Sequence, residues 1–448
     1  MRAIPPAPPT LVERLGAPFQ RFFAIEAAST ILLLAATAVA LAWANSPWRS
    51  SYQWLWSLPL GVRLGGGELA LSLEHWVNDG LMVLFFFLVG MEIKQELVHG
   101  ELSSRDRAML PVFGALGGML APAAIFAALH HGGPAASGWG VPMATDIAFA
   151  VAALAVLGTR VPPGLKVFLL ALAIVDDLGS IAVIAMFYAE KISFGAVAAA
   201  AAGLAGVYAL NRAGVRGYAV YVAAGLAVWL ATLASGIHAT VAGVCLGFLT
   251  PAVAPAPGEG IVQRGRKLAE ELLERLELDD PVEPKRVIAG FTRLRRESMS
   301  PLEALTAALH PWVAFAVMPI FALANAGVPL QPGALRDPLA SRVTLAVAAG
   351  LLVGKPLGIA ACAWISVRLG LARLPAGVTW RAVVGAGALG GIGFTMAIFV
   401  TTLAFKEPAL IAASKVGVLV ASVLSAGAGL LVLSRALPPA RAPDSSHL

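Results

Sequence analysis

Two adjacent carboxylates, Asp176 and Asp177, stand half-way along the apolar stretch 165–188, within Ala173-Ile174-Val175-Asp176-Asp177-Leu178-Gly179. Ionisable groups inside apolar runs are costly and mark functional positions by default. Neighbouring residues on a helix point about 100° apart, so both acids can line one cavity. So close a pair should titrate as a coupled unit, holding protons or a hard cation through its oxygens. The alternative is two carboxylates held in structural polar pairs. Asp146 follows Thr145 in Pro142-Met143-Ala144-Thr145-Asp146. A proline and a polar pair inside a short apolar stretch suggest a helix broken at depth. Lys355, in Gly354-Lys355-Pro356, lies inside another apolar stretch. An ammonium there needs a carboxylate partner, and Pro356 removes a backbone donor beside it. Asp146 and Lys355 also fit a purely structural pair that neutralises broken helix ends.

Other polar positions read two ways. Glu92 and Glu96, one helical turn apart with Lys94 between them, fit a solvated helix end or the mouth of a cation funnel that responds to pH. His238, in Ser235-Gly236-Ile237-His238, opens an apolar stretch and is either structural or a pH-sensitive group. His310, before Pro311, reads as the start of a helix. Residues 385–390 match G-x-G-x-x-G, but no strand pattern precedes them and the chain near 410 is apolar, so dinucleotide binding is set aside. Close helix packing or a second unwound span suits these glycines better.

The elements that must carry these residues follow from composition. Of 448 residues, 58% are hydrophobic and only 13% are charged, with a net charge of +6. A soluble enzyme needs about a quarter of its residues charged, so that class is excluded. The cations sit between apolar runs and form no basic face, which argues against nucleic acid. The two cysteines, Cys245 and Cys362, lie in apolar segments and allow neither a disulfide framework nor a thiolate metal site. Apolar stretches near 25–44, 76–98, 109–129, 141–157, 165–188, 194–210, 218–235, 238–250, 311–327, 343–367, 380–404 and 409–434 predict an all-α polytopic membrane protein of about twelve spans. Those at 141–157, 238–250 and 311–327 are short. Lys and Arg concentrate in one alternate set of loops and both ends, which predicts cytoplasmic N- and C-termini.

The expected organisation is a cytoplasmic N-terminus at 1–24, a transmembrane domain at 25–434 and a cytoplasmic tail at 435–448. Residues 58–73, around Gly65-Gly66-Gly67, predict an outer hairpin. The loop 251–310 is long, and 261–278 place Leu268, Leu272 and Leu276 at helical spacing among charges. Two function classes remain. A membrane enzyme would need the third, turn-spaced acid of a prenyltransferase, which is missing, or the paired Asp of an intramembrane aspartyl protease, which leaves Lys355 and the doubled Asp unexplained. A secondary transporter of small cations uses every one of these groups and needs no cofactor.

The residues so singled out resemble the bacterial Na⁺/H⁺ antiporter family NhaA, an inverted-repeat transporter class. The matching stretches are Phe87 to Glu92, Ala144 to Ala150, Ala173 to Gly179, Ser235 to Thr240, Leu309 to Trp312, Ala322 to Gly327, Gly354 to Gly358 and Gly391 to Met396. The resemblance implies inverted repeats, with two discontinuous helices crossing at midmembrane. It implies Asp177 as the main Na⁺ or Li⁺ ligand, with Asp176 as a second proton carrier able to pair with Lys355. Asp146 would offset the positive helix ends at the crossing and Lys355 the negative ones. Glu92, Glu96 and His238 match positions tied to pH response, and the hairpin 58–73 matches a homodimer contact. Gln95 and Thr306 depart from the family's usual Arg and Glu, with Glu303 a turn before Thr306.

Overall fold

The computed structural model describes residues 28–64, 67–130, 132–189, 191–215, 218–253, 263–270, 290, 299–329 and 342–438. Helix occupies each of the twelve apolar stretches read from the sequence. Among the described residues, seven helices are long and apolar enough to cross a membrane, or up to nine if each bent pair is one span. The chain divides into two compact units, one of Met1–Leu81, Ser104–Tyr188 and Ala314–Leu448, the other of Met82–Ser103 and Ala189–Val313. The expected segment 1–24 and residues 439–448 of the tail lie outside the described residues. So do most of the loop 251–310 and, with Leu272 and Leu276, the second half of the amphipathic helix; 263–270 are helical, with Arg266 and Glu270 paired at 2.7 Å.

In the first unit, helix Pro163–Phe187 carries the acid pair. Its buried face runs through Leu165, Phe168, Leu169, Leu172, Ala173, Asp176, Asp177, Ser180, Ile181 and Ile184, the three-and-four spacing of a single helix side. Beside it, Arg105–Leu129 packs against Lys355–Arg368 with almost no side chain between the backbones. A methyl group on Gly117 would lie 2.0 Å from Gly358 O, and one on Gly358 would lie 2.1 Å from Gly117 O. Small residues allow this approach, as expected of helices packed in an apolar medium. Leu172 and Ile359 fill the flanks, near Gly114 and Gly118.

Two stretches are interrupted. Pro134–Met143 is a tight 3₁₀ segment, Ala144-Thr145-Asp146 is extended, and an α-helix resumes at Ile147–Ala155. Trp380–Gly390 stops at Gly391-Ile392-Gly393 and resumes as Phe394–Ala404, bent by 48°. A π-helical turn, Gly350–Gly354, precedes Lys355. The wider turn accommodates Pro356, whose ring would clash with a regular α-helical carbonyl one turn back.

Three features differ from the sequence expectations. A second helix, Arg49–Ser57, follows Ala28–Ala44 at 113°, in a stretch too polar to register as a span. The stretch at 311–327 is not short: the helical run is Pro301–Asn325, because Ser300 and Glu303 form a reciprocal capping box that starts it among polar residues. His310 therefore lies in the last turn of Pro301–Trp312 rather than at a helix start. The hairpin forms as read: Pro59–Leu64 pairs antiparallel with Gly67–Ser72, in register from Pro59↔Ser72 to Leu64↔Gly67. Trp76 Nε1 donates to Leu60 O at 2.9 Å and ties it to the following helix.

The second unit crosses Met82–Val98 over Thr240–Leu249 by the same small-residue device. Methyl groups on Gly90, Gly243 and Gly247 would meet Val244 O, Val83 O and Phe87 O at 2.6, 2.4 and 2.5 Å.

The Gly117–Gly358 contact yields a prediction. Gly358→Val should lower the unfolding temperature of the purified protein in detergent, by an overpacking cost of about 1–3 kcal/mol. A substitution at Gly427, where a methyl group meets nothing within 4 Å, should leave it unchanged.

Candidate functional site

The two interruptions meet. Asp146 N donates to Ile392 O at 2.7 Å, joining the extended chain of one broken helix to that of the other. Phe149 and Phe394 pack edge to face beside this contact, with ring centroids 4.8 Å apart. Asp146, 2% exposed, serves both resuming half-helices. Its Oδ1 accepts from Phe149 N at 3.2 Å, the N-cap bond of Ile147–Ala155. Its Oδ2 accepts from Thr395 N at 3.1 Å and from the Thr395 hydroxyl. Phe394 N donates to Ser422 Oγ at 3.1 Å. One carboxylate thus sits at two helix N-termini, where amide donors and the positive ends of both dipoles converge.

Next to the crossing lies a buried ion pair. Lys355 Nζ is 2.5 Å from Asp176 Oδ2, the side chains 0% and 1% exposed. Lys355 also donates to the Thr145 hydroxyl. Thr145 Oγ1 lies 2.6 Å from Asp176 Oδ2 and 2.9 Å from Gly390 O, a terminal carbonyl of the half-helix Trp380–Gly390. A hydroxyl carries one proton, so it serves one of these acceptors at a time. Asp177, 1% exposed, adjoins Asp176 on the same buried helix face. Five of the residues singled out by type and spacing, Thr145, Asp146, Asp176, Asp177 and Lys355, therefore belong to one buried cluster. An ammonium, a hydroxyl and three carboxylates held out of water form an oxygen-rich site that a small cation or protons can occupy.

The remaining three belong to the second unit. Glu92 and Glu96 lie on Met82–Val98, where Glu96 Oε2 accepts from Glu101 N at 3.0 Å. Lys94 Nζ between them donates to Phe248 O and Thr250 O at 2.8 and 2.6 Å, closing the C-terminal end of Thr240–Leu249. His238 sits at the other end of that helix, its Nδ1 2.8 Å from Thr240 Oγ1 and accepting from Thr240 N at 3.4 Å. Ten residues of helix, about 15 Å of rise, separate His238 from the acids. They do not form one cluster. Gln95, Glu303, Thr306 and His310 instead line a cavity of about 380 Å³. Thr395 and Ser422 were not singled out in sequence, since a hydroxyl in an apolar stretch most often bonds its own helix.

A sequence model of the family described as Na⁺/H⁺ antiporter 1 matches residues 20–433. The chain belongs to the Na⁺/H⁺ antiporter 1 family. It is 50% identical to Na(+)/H(+) antiporter NhaA 2 of Sorangium cellulosum, over 95% of this chain and 91% of that protein. Identity is also 50% with NhaA 2 of Myxococcus xanthus, over 96% and 92%. With NhaA of Oleidesulfovibrio alaskensis it is 48%, over 99% of both chains. As a member of this antiporter family the chain is a multi-pass membrane transporter, and the intramembrane-enzyme alternative falls away.

The geometry at Asp146 yields a prediction. Asp146→Ala strands the amides of Phe149 and Thr395, at about 1–3 kcal/mol for each buried group left unsatisfied. The protein should unfold at lower temperature or bind its cation more weakly while keeping some transport. Complete loss of transport in protein of unchanged stability would instead make Asp146 a direct ligand.

Proposed function

We propose that the chain exchanges cytoplasmic Na⁺, or Li⁺ in its place, for external H⁺ across the bacterial inner membrane, with Asp176 and Asp177 binding cation and proton in turn. The observation that carries this reading is the buried Lys355–Asp176 pair beside Asp177, with Thr145 bridging it to the helix crossing. Breaking one partner of such a pair leaves an uncompensated buried charge. In the empty state the pair keeps Asp176 balanced. Na⁺ displaces the proton held by Asp177 and competes with Lys355 for Asp176, so that Lys355 gives up a second proton, and both protons leave the site. Reversal on the other side loads protons and expels Na⁺.

Glu92 and Glu96 would form the cytoplasmic mouth through which cations arrive, and His238 would respond to pH. Its Nδ1 accepts from Thr240 N at the start of a helix, and a protonated ring cannot accept there. Twelve crossings in the lipid bilayer, with both ends cytoplasmic, accord with the bias of Lys and Arg between alternate loops. The 58–73 ribbon would join two copies in a homodimer, since a two-stranded ribbon leaves edges that pair with another strand.

Two predictions follow from the acid pair. Reconstituted Asp177→Asn and Asp176→Asn proteins should each lose Na⁺-driven proton movement across the vesicle membrane; wild-type exchange in both sinks the assignment. Transport should also respond to voltage, because more than one proton must leave two carboxylates and a lysine for one monovalent cation to bind. A charge crossing the full potential gains about 2.3 kcal/mol per 100 mV. Exchange should therefore speed up when K⁺ and valinomycin impose a potential negative on the side the protons enter. A rate indifferent to voltage means one proton per Na⁺ and rejects the two-carboxylate cycle.

A further inference from the structure

Ser180 sits one turn beyond the acid pair, three residues after Asp177 and four after Asp176, on the same buried face of Pro163–Phe187. Side chains at these spacings are neighbours, about 5–6 Å apart at Cβ. Ser180 is 3% exposed. Buried hydroxyls on helices normally bond a carbonyl one turn back, as several in this chain do, with Ser425 and Thr306 as exceptions among the described residues. Thr37 donates to Leu33 O, Thr232 to Val228 O, Ser366 to Ala363 O and Thr401 to Ala397 O, at 2.7 to 2.9 Å. Ser180 Oγ does not. It has no hydrogen-bond partner among the described residues, and neither has the buried Asp176 Oδ1 on the same face. What sets these two oxygens apart is place: they lie one turn apart on the buried face where charge is already held.

We infer that Ser180 Oγ and Asp176 Oδ1 complete the oxygen shell of the transported cation, so that Ser180 sets how well the site holds Na⁺ relative to Li⁺. The inference rests on the acid pair being the cation site. A neutral hydroxyl adds an oxygen without adding charge, and a larger cation takes more oxygens than a smaller one of equal charge. Na⁺ therefore depends on Ser180 more than Li⁺ does. Because the hydroxyl bonds none of the described residues, deleting it relieves a buried unsatisfied group instead of breaking a contact.

The test reconstitutes the full chain with Ser180→Ala and Ser180→Cys and measures the KM of exchange for Na⁺ and Li⁺, with unfolding temperature in detergent alongside. Cysteine keeps the packing volume but offers a soft atom that a hard cation avoids. Both variants should raise the KM for Na⁺ by about fivefold or more, the loss of one good ligand. The KM for Li⁺ should rise less, kcat should stay near the parent, and the unfolding temperature should not fall. A KM for Na⁺ within twofold of the parent overturns the inference. So does an equal loss for both cations, a cysteine variant that matches the parent, or a fall in stability that tracks the loss of affinity. Asp177→Asn, run in parallel, separates the two readings. If it retains exchange, the cation site itself is misplaced; if it is inactive while Ser180→Ala is unaltered, only the role of Ser180 fails.

Discussion

A helix that stops inside an apolar medium exposes amides and carbonyls that no water can satisfy, and this chain contains two such helices side by side. Everything at the site follows from how those ends are met. Asp146 places one carboxylate against the amides of two half-helices, and Thr145 sets its hydroxyl against a terminal carbonyl of a third. The direct bond from Asp146 N to Ile392 O then locks the two extended segments together. The broken backbone is the reason polar side chains are present at all, and once present they are available to bind ions.

The ion pair depends on the same crossing. Lys355 reaches Asp176 and Thr145 because the π-turn Gly350–Gly354 and Pro356 shape the helix just where the side chain leaves it. The glycine contact between Gly117 and Gly358 draws that helix close to its neighbour, one position after Leu357 and three after Lys355. Packing in an apolar medium comes from close contact of small residues, since no water is expelled between helices. The buried charges are therefore held by a closely packed frame.

In the second unit the same small-residue packing carries a different cargo. Lys94 spends its charge on the carbonyls that end Thr240–Leu249, and His238 accepts an amide at the start of that helix. Each end of that helix is thus met by a polar side chain, as its terminal backbone groups require.

Much of this was legible in the sequence, for physical reasons. Hydrophobicity at 58% with so few charges admits only a polytopic membrane protein, because nothing else can hide that much apolar surface. The same cost makes Asp146, Asp176, Asp177 and Lys355 conspicuous, and Pro142 with Thr145 marks the break. What sequence could not decide was partnership. Thr395 and Ser180 are small hydroxyls of the kind that usually bond their own helix, and only tertiary placement shows one bonding Asp146 and the other bonding none of the described residues. Helix limits set by polar caps, such as Ser300 with Glu303, are invisible to a hydropathy count. His238 and the Glu92–Glu96 pair share a suggested role in sequence but lie at opposite ends of one helix, a separation that only the parallel packing of Met82–Val98 on Thr240–Leu249 determines. Residue chemistry fixes which groups must be neutralised; the backbone path alone fixes by whom.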